Sequence, residues 1–246
     1  MRLDLYLAES GIVKSRSRAK ELIEKGTVKV DGRVVTKPSL DVVSPDVEIA
    51  DDAMPFVGRG GFKLEAALDH FNIDVSDLCC IDIGASTGGF TDCLLQRGAA
   101  QVYAVDCGHD QLAPELVGDL RVTQIDGFNA RNLSVESVGE TFDLAVMDVS
   151  FISQTLIHSP LSSVLRDKAV FITLIKPQFE SGRKSLSNKG IVQKEADRKA
   201  AVDKVVSSAE ANGFILLGLI ESPIKGGDGN TEYLAAFNFC RKEPIV

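Results

Sequence analysis

Apolar positions follow two different rhythms along this chain. Near the start they recur at helical spacing and then alternate. Leu3 and Leu7, four apart, put an apolar stripe on a short helix over residues 1–8. Ala19, Leu22 and Ile23 recur at i, i+3, i+4 and predict a second helix, which Ser15 or Ser17 can cap and Gly26 can end. Val28-Lys29-Val30 then alternates into Asp31-Gly32, and Arg33-Val34-Val35 follows. Asp-Gly between two alternating runs predicts a tight hairpin.

From Cys79 onward, short apolar runs alternate with helical patterns. Cys79–Ile83, Gln101–Asp106, Val122–Ile125, Leu144–Asp148, Ala169–Ile175, Phe214–Ile220 and Tyr233–Phe239 read as strands. Lys63 to His70 reads as a helix with Leu64, Ala67 and Leu68 as its apolar stripe, and Glu195 to Asn212 as another, ended by Gly213. Strands alternating with helices predict an α/β domain, a mostly parallel sheet covered on both faces. In such sheets ligands sit at the carboxyl ends of the strands, beside the point where the strand order reverses. Asp51-Asp52-Ala53-Met54-Pro55 has no periodicity and contains a proline. The expected organisation is a small α+β domain over residues 1–50, a linker over 51–57 and the α/β domain over 58–246.

Charge sharpens this division. The net charge is −8, which argues against nucleic-acid binding by the whole surface. Residues 1–40, however, hold nine Lys+Arg against five Asp+Glu, and the remainder holds 18 against 30. A basic head on an acidic body suggests a division of labour. Lys14, Arg16, Arg18 and Lys20 open the second helix, where charge and free backbone N–H groups together favour phosphate oxygens; a solvated basic face would look the same. No apolar run approaches the roughly 18 residues of a membrane span. Asp4 stands where a signal peptide would be apolar, so the expected location is the cytoplasm. Cys79, Cys80, Cys93, Cys107 and Cys240 match no zinc or disulfide spacing; four of them sit in apolar, strand-like or helical context, which predicts buried free thiols and no metal site. His70 and His158 lie in helical patterns and read as incidental, whereas His109 falls near the edge of the expected ligand site.

Candidate chemistry gathers at strand ends. The first strand of the larger domain runs into Asp82-Ile83-Gly84-Ala85-Ser86-Thr87-Gly88-Gly89-Phe90-Thr91, a glycine-rich turn before a helix. A phosphate loop would end in Gly-Lys-Ser/Thr, and no lysine is present; a dinucleotide fingerprint would put Gly at position 86, which is Ser. S-adenosylmethionine remains: backbone N–H groups suit its carboxylate and Asp82 its ammonium, while Asp106 and Asp126, after the next two strands, suit ribose hydroxyls and the adenine amino group. Any one of these aspartates is equally a loop cap; three at successive strand ends are harder to set aside. Asp148 and Lys176 also close apolar runs, and a lysine directly after Val-Phe-Ile-Thr-Leu-Ile is expensive unless paired or functional.

Two resemblances cover nearly the whole chain. Arg2-Leu3-Asp4, Ser15-Arg16-Ser17-Arg18-Ala19-Lys20, Ile23-Glu24-Lys25-Gly26, Val28-Lys29-Val30-Asp31-Gly32 and Lys37-Pro38-Ser39 resemble the S4-type RNA-binding domain. Gly58-Arg59-Gly60-Gly61-Phe62-Lys63-Leu64, the Asp82–Asp92 loop, Tyr103-Ala104-Val105-Asp106, Asn129-Ala130-Arg131-Asn132-Leu133, Met147-Asp148-Val149-Ser150-Phe151, Ile175-Lys176-Pro177-Gln178-Phe179-Glu180 and Gly227-Asp228-Gly229-Asn230-Thr231-Glu232-Tyr233 look like the TlyA (haemolysin A) family, FtsJ-like RNA 2′-O-methyltransferases with an S4-type head. Departures from relatives fall at Cys107, His109, Pro114 and Gly127-Phe128.

The resemblance implies a Rossmann-like S-adenosylmethionine methyltransferase domain with a seven-stranded, mostly parallel sheet behind a small α+β S4-type domain. It implies a catalytic tetrad on Lys63, Asp148, Lys176 and Glu232. S-adenosyl-L-methionine would lie on Asp82, Gly84, Ser86, Thr87, Gly88, Gly89, Phe90, Asp106, Asp126 and Asn129, and RNA on Arg2, Lys14, Arg16, Arg18, Lys20, Lys29, Arg33 and Arg59. The expected partner is ribosomal RNA or ribosomal subunits, with cytidine 2′-O-methylation as the reaction and Lys176 as the group that activates the hydroxyl, either by taking its proton or by stabilising the alkoxide. A head of only modest positive charge leaves the catalytic domain to add RNA contacts. The competing readings are a membrane-active haemolysin, for which the sequence offers no amphipathic basic helix, and an RNA-binding protein with an inactive methyltransferase fold, against which all four tetrad residue types stand. Base methylation is disfavoured too, because Asp148 is followed by Val-Ser-Phe rather than by Pro-Pro-aromatic.

Overall fold

The computed structural model describes every residue except 14, 15, 25, 44, 50–55, 227, 228 and 242–246, and the backbone only of Ser17, Arg18 and Glu21. The cap candidate Ser15, the side chain of Ser17 and most of the expected linker lie outside the described residues.

The basic head contains α1 (Leu3–Glu9), α2 (Arg16–Glu24), β1 (Val28–Val30), β2 (Arg33–Val35) and β3 (Val47–Ile49). Its three strands pair antiparallel in the order β2-β1-β3. Asp31 and Gly32 both take positive φ, 50° and 74°, the backbone that a two-residue hairpin turn demands. Leu3, Leu7, Ala19, Leu22, Ile23 and Val28 are buried together, so both helical stripes and the inward side of the hairpin meet in one small core. Helix α1 begins later than expected because Arg2 is extended and bridges Asp41. The third strand was missed: a three-residue run is too short for alternation to show.

The larger sheet has seven strands, β4 (Cys79–Ile83), β5 (Gln101–Val105), β6 (Val122–Ile125), β7 (Phe142–Met147), β8 (Leu165–Ile175), β9 (Phe214–Glu221) and β10 (Tyr233–Phe239). Their order is β6-β5-β4-β7-β8-β10-β9, with β10 antiparallel to both neighbours and the rest parallel. Asp106 and Asp148 lie just past their strands rather than inside them. Strand β8 starts at Leu165, earlier than the apolar run suggested, because the exposed Arg166-Asp167-Lys168 stretch hides its first part and the register shifts beside it.

Helices α3 (Gly60–Phe71) and α4 (Gly89–Gln96) cover one face, burying Leu64, Leu68 and Leu94. The chain also forms α5 (Pro114–Val117), α6 (Val135–Val138), α7 (His158–Val164), α8 (Pro177–Glu180) and α9 (Glu195–Ala211). Phe142, Phe171, Phe214 and Phe237 form an aromatic core on the opposite face, with Leu161 of α7 and Val205 of α9 packed into it. Glu195 and Asp197 in the first turn of α9 suit the helix dipole, and Gly213 (φ 91°) ends it where a side chain would strike the carbonyl oxygen of Cys240.

All five cysteines are free. Cys80 and Cys93 are buried, but Cys107 and Cys240 are exposed, against the expectation of buried thiols, because both lie just beyond strand ends. Among the described residues no helix is long and apolar enough to cross a membrane, and no cluster of His, Cys, Asp and Glu could hold a metal ion.

His158 is fully buried beside Phe171 and Phe214, with its Nδ1 2.9 Å from Ser208 Oγ of α9. Burial pushes its pKa down to about 4. The unfolded chain therefore takes up a proton near pH 6.5 that the folded chain refuses, and stability falls as pH drops from 6.5 toward 4, by about 3 kcal/mol in all. Urea unfolding across this window should show an acid limb that is shallower in His158→Gln; equal slopes would place the titrating group elsewhere.

Candidate active site

The strand order reverses between β4 and β7, and the loops following both strands meet there. Gly84 follows β4 with φ 83°, and a Cβ on it would lie 2.7 Å from the carbonyl oxygen of Asp148, the residue after β7. Ser86 stands in the left-handed region at φ 50° and Gly88 at φ 93°. This backbone wraps tightly into the N-terminus of α4, where Gly89 lies against Gly60 and Gly61; a Cβ on it would be 3.0 Å from the Gly61 nitrogen. The glycines at 58–61 therefore serve close backbone approach between the start of α3 and the glycine-rich loop. Gly84→Ala strains φ and pushes on backbone that cannot retreat. It is expected to weaken S-adenosylhomocysteine binding by roughly tenfold or more, as read by calorimetric titration; unchanged binding would show that the loop is not the cradle.

A cavity of about 200 Å³ is lined by Gly58, Arg59, Gly60, the loop from Gly84 to Thr87, Gly89, Phe90, Asp148, Ser150 and Lys176. Backbone N–H groups at a helix N-terminus suit a carboxylate, so this donor set fits the amino-acid end of S-adenosylmethionine. Asp82 lies within β4, ahead of the loop. It is fully buried, and its Oδ2 accepts from Thr91 Oγ1 at 2.7 Å while Oδ1 has no partner. Burial pushes its pKa up to about 7. The bond to Thr91 ties β4 to α4.

Asp106 closes the loop from the other side, accepting from the Ser86 N–H at 2.9 Å and the Gly108 N–H at 2.7 Å. Asp126 accepts from the Asp110 N–H and from Gln124 Nε2, each at 2.8 Å, and the Asp110 N–H in particular lowers its pKa. Asn129 caps the turn over Ala130–Asn132 through its own Oδ1 and is exposed. These three groups share the carboxyl edge of β5 and β6, and each has a loop-forming role. His109 packs against Gly127 on the same edge.

The four residues that the resemblance names arrive from distant segments as two ion pairs. Lys176 ends β8 and Asp148 follows the adjacent β7; Nζ and Oδ1 are 2.6 Å apart, a close ion pair rather than an aligned hydrogen bond. Lys176 Nζ also donates to Ser150 Oγ at 2.8 Å. Lys63 on α3 donates to Glu232 Oε2 at 2.7 Å, and their side chains are only 11% and 3% exposed. Glu232 reaches this place because β10 runs antiparallel to β8 and pairs Tyr233 with Ile175, so its first turn lies at the end where β8 finishes. Gln178 Nε2, on α8, donates to Glu232 Oε1 at 3.4 Å.

Sequence reasoning missed several neighbours. Glu180 is buried and accepts from Ser153 Oγ, from the Gln154 N–H at 2.8 Å and from Lys204 Nζ at 3.1 Å. It thereby ties the segment after Asp148 to the helix that opens at Lys176. Phe151 is 91% exposed, holds φ at 63°, and leans on Phe179 with ring centroids 5.0 Å apart. An exposed aromatic in left-handed backbone, three residues from Asp148, is strain that packing does not explain. No spacing pattern signals either feature.

In the head, Arg2 and Arg16 converge on buried Asp4, whose carboxyl the Arg2 guanidinium, joined by Arg16, holds at about 2. Lys20 pairs with Glu24 and Lys29 with Glu48, and Arg33 and Arg59 are exposed. Lys14 and the side chain of Arg18 lie outside the described residues.

Comparison with known proteins adds the family. Residues 56–239 match the FtsJ-like methyltransferase family and residues 1–47 the S4 domain. The chain is 42% identical to Hemolysin A of Brachyspira hyodysenteriae, over 96% of its own length and 99% of the relative's. It is 40% identical to the 16S/23S rRNA (cytidine-2'-O)-methyltransferase TlyA of Mycobacterium tuberculosis, over 94% and 87%. A solved structure described as "Putative hemolysin from Streptococcus thermophilus" superposes with a TM-score of 0.77 at 39% identity, covering 98% of this chain and 89% of that one. The chain belongs to the TlyA (haemolysin A) group of FtsJ-like methyltransferases, which carry an S4 domain ahead of the catalytic one.

Proposed function

We propose that the protein transfers the methyl group of S-adenosylmethionine to the 2′-hydroxyl of a cytidine in ribosomal RNA, working on ribosomal subunits in the cytoplasm. The observation that carries this is the seat of Lys176. Its amine lies between Asp148 and Ser150 in the wall of the same cavity that the glycine loop lines. The name of the M. tuberculosis relative supports the choice of cytidine and of ribosomal RNA.

S-adenosylmethionine is the cofactor of this fold, and when bound it supplies a methyl group already made electrophilic by sulfonium. The protein's work is then to bring a hydroxyl into line and to make its deprotonation easier. Lys176 has three N–H bonds; one is directed at Ser150 and Asp148 fixes the head from another side, which leaves donor capacity for the ribose oxygen. A cation held there stabilises negative charge as it develops on that oxygen. Lys63 and Glu232, buried and mutually neutralised, are joined by Gln178 to the helix that follows Lys176, and would help to position it. The exposed ring of Phe151 offers a face on which the target base can stack. Arg59, exposed on the cavity rim, is placed for a phosphate. In the head, Arg2 and Arg16 keep outward guanidinium donors for RNA.

The test is transfer of label from methyl-labelled S-adenosylmethionine to ribosomal subunits from a strain lacking this protein's gene. Label in the RNA fraction is expected. A protein that binds S-adenosylhomocysteine yet labels only ribosomal proteins, or nothing, overturns the proposal.

A further inference from the structure

The segment 181–194 stands out against the acidic body. It carries Arg183, Lys184, Lys189 and Lys194 and no acidic residue, inside a region whose charge is strongly negative. All four basic side chains are exposed, and among the described residues none of them meets a carboxylate. Like charges gathered without partners repel, so an ordered loop of this kind works against its own electrostatics.

The loop is nonetheless built. Leu186 bridges Val192, and Ser187 closes the turn between them: its N–H donates to the Ile191 carbonyl at 2.9 Å and its Oγ accepts from the Ile191 N–H at 3.1 Å. Gly190 supplies the positive φ, 73°. Asn230, 1% exposed, clamps the returning arm: its Oδ1 accepts from the Val192 N–H at 3.0 Å and its Nδ2 donates to the Gly190 carbonyl at 3.2 Å. Two residues further on stands Glu232, the partner of Lys63. At its other end the ribbon follows α8, whose first turn opens at Lys176. One helical turn and a few extended residues separate Lys176 from Arg183, within roughly 20 Å. The basic ribbon is thus tied at both ends to the segments that carry the two ion pairs of the active site.

We infer that the 183–194 ribbon is a phosphodiester-binding element of the catalytic domain that holds the RNA backbone near the target nucleotide. It supplies contacts that the modestly charged head leaves to the body. The inference rests on the reading of RNA as substrate.

The test uses the full chain carrying Lys184→Ala, Lys189→Ala and Lys194→Ala together, with Lys189→Glu at the tip as a second variant should the triple one fold poorly. Binding to purified ribosomal RNA is measured by filter retention at several salt concentrations, alongside KM for RNA and the Kd for S-adenosylhomocysteine. The triple variant is expected to lower the slope of log affinity against log salt by about 2 to 3, to raise KM for RNA roughly tenfold or more, and to keep the Kd of the cofactor product. A slope and KM equal to wild type overturn the ribbon. Wild-type protein that methylates no RNA overturns the broader reading instead, and the salt slope then still decides whether the ribbon holds RNA.

Discussion

Lys176→Ala is expected to lower kcat for methyl transfer by about 10³- to 10⁴-fold while the Kd for S-adenosylhomocysteine stays close to wild type. The side chain is 12% exposed, lies 2.6 Å from Asp148 and donates to Ser150. Its removal deletes the cation proposed to face the reacting hydroxyl without touching the loop from Gly84 to Gly89. Asp148→Asn keeps the shape but removes the charge that fixes the lysine, and a smaller loss, about 10²-fold, is expected. Lys176→Arg separates charge from geometry: it keeps a cation but not a compact head, so recovery of less than a tenth of wild-type activity is expected. Single-turnover rates with saturating RNA read all three. Activity in Lys176→Ala within a few fold of wild type would move the chemistry to another group.

Lys63→Met should act first on stability. It leaves Glu232 as a buried carboxylate whose remaining side-chain partner among the described residues is Gln178. Breaking a buried pair by removing one partner costs about 3–5 kcal/mol, because the remaining charge stays desolvated. For a domain of this size that corresponds to a fall in Tm of roughly 10 °C. The double variant Lys63→Met, Glu232→Gln should regain most of the loss, since no uncompensated charge remains, yet stay impaired in methyl transfer. Urea unfolding of the two variants and wild type separates the outcomes. If the single and double variants are equally unstable, the loss is one of packing and the pair is not coupled.

Much of this was legible before the structure, for identifiable reasons. The parallel strands of the larger sheet announce themselves because buried parallel strands are continuous apolar runs, and Lys176 is visible because a lysine closing such a run is costly. The hairpin at Asp31-Gly32 follows from turn chemistry alone. The four-residue constellation came from resemblance, and no periodicity brings Lys63 to Glu232: that contact depends on β10 running antiparallel, which sets Tyr233 opposite Ile175. The burial of Asp82 and its bond to Thr91 gave no sequence signal, because a sequence shows where a strand ends but not which way its last side chains turn. Glu180 gave no signal, since its value lies in reaching residues 153, 154 and 204 at once. The exposed cysteines show the same limit: one or two residues past a strand end, burial is decided by the loop.

Transfer of label from methyl-labelled S-adenosylmethionine to ribosomal RNA, followed by alkaline hydrolysis and separation of the products, reads directly which atom receives the methyl group. Methylation of the 2′-oxygen blocks cleavage at that linkage, so the expected product is a single alkali-stable labelled dinucleotide that begins with cytidine and is absent with Lys176→Ala. Label released entirely in mononucleotides would place the methyl group on a base and contradict ribose 2′-O-methylation.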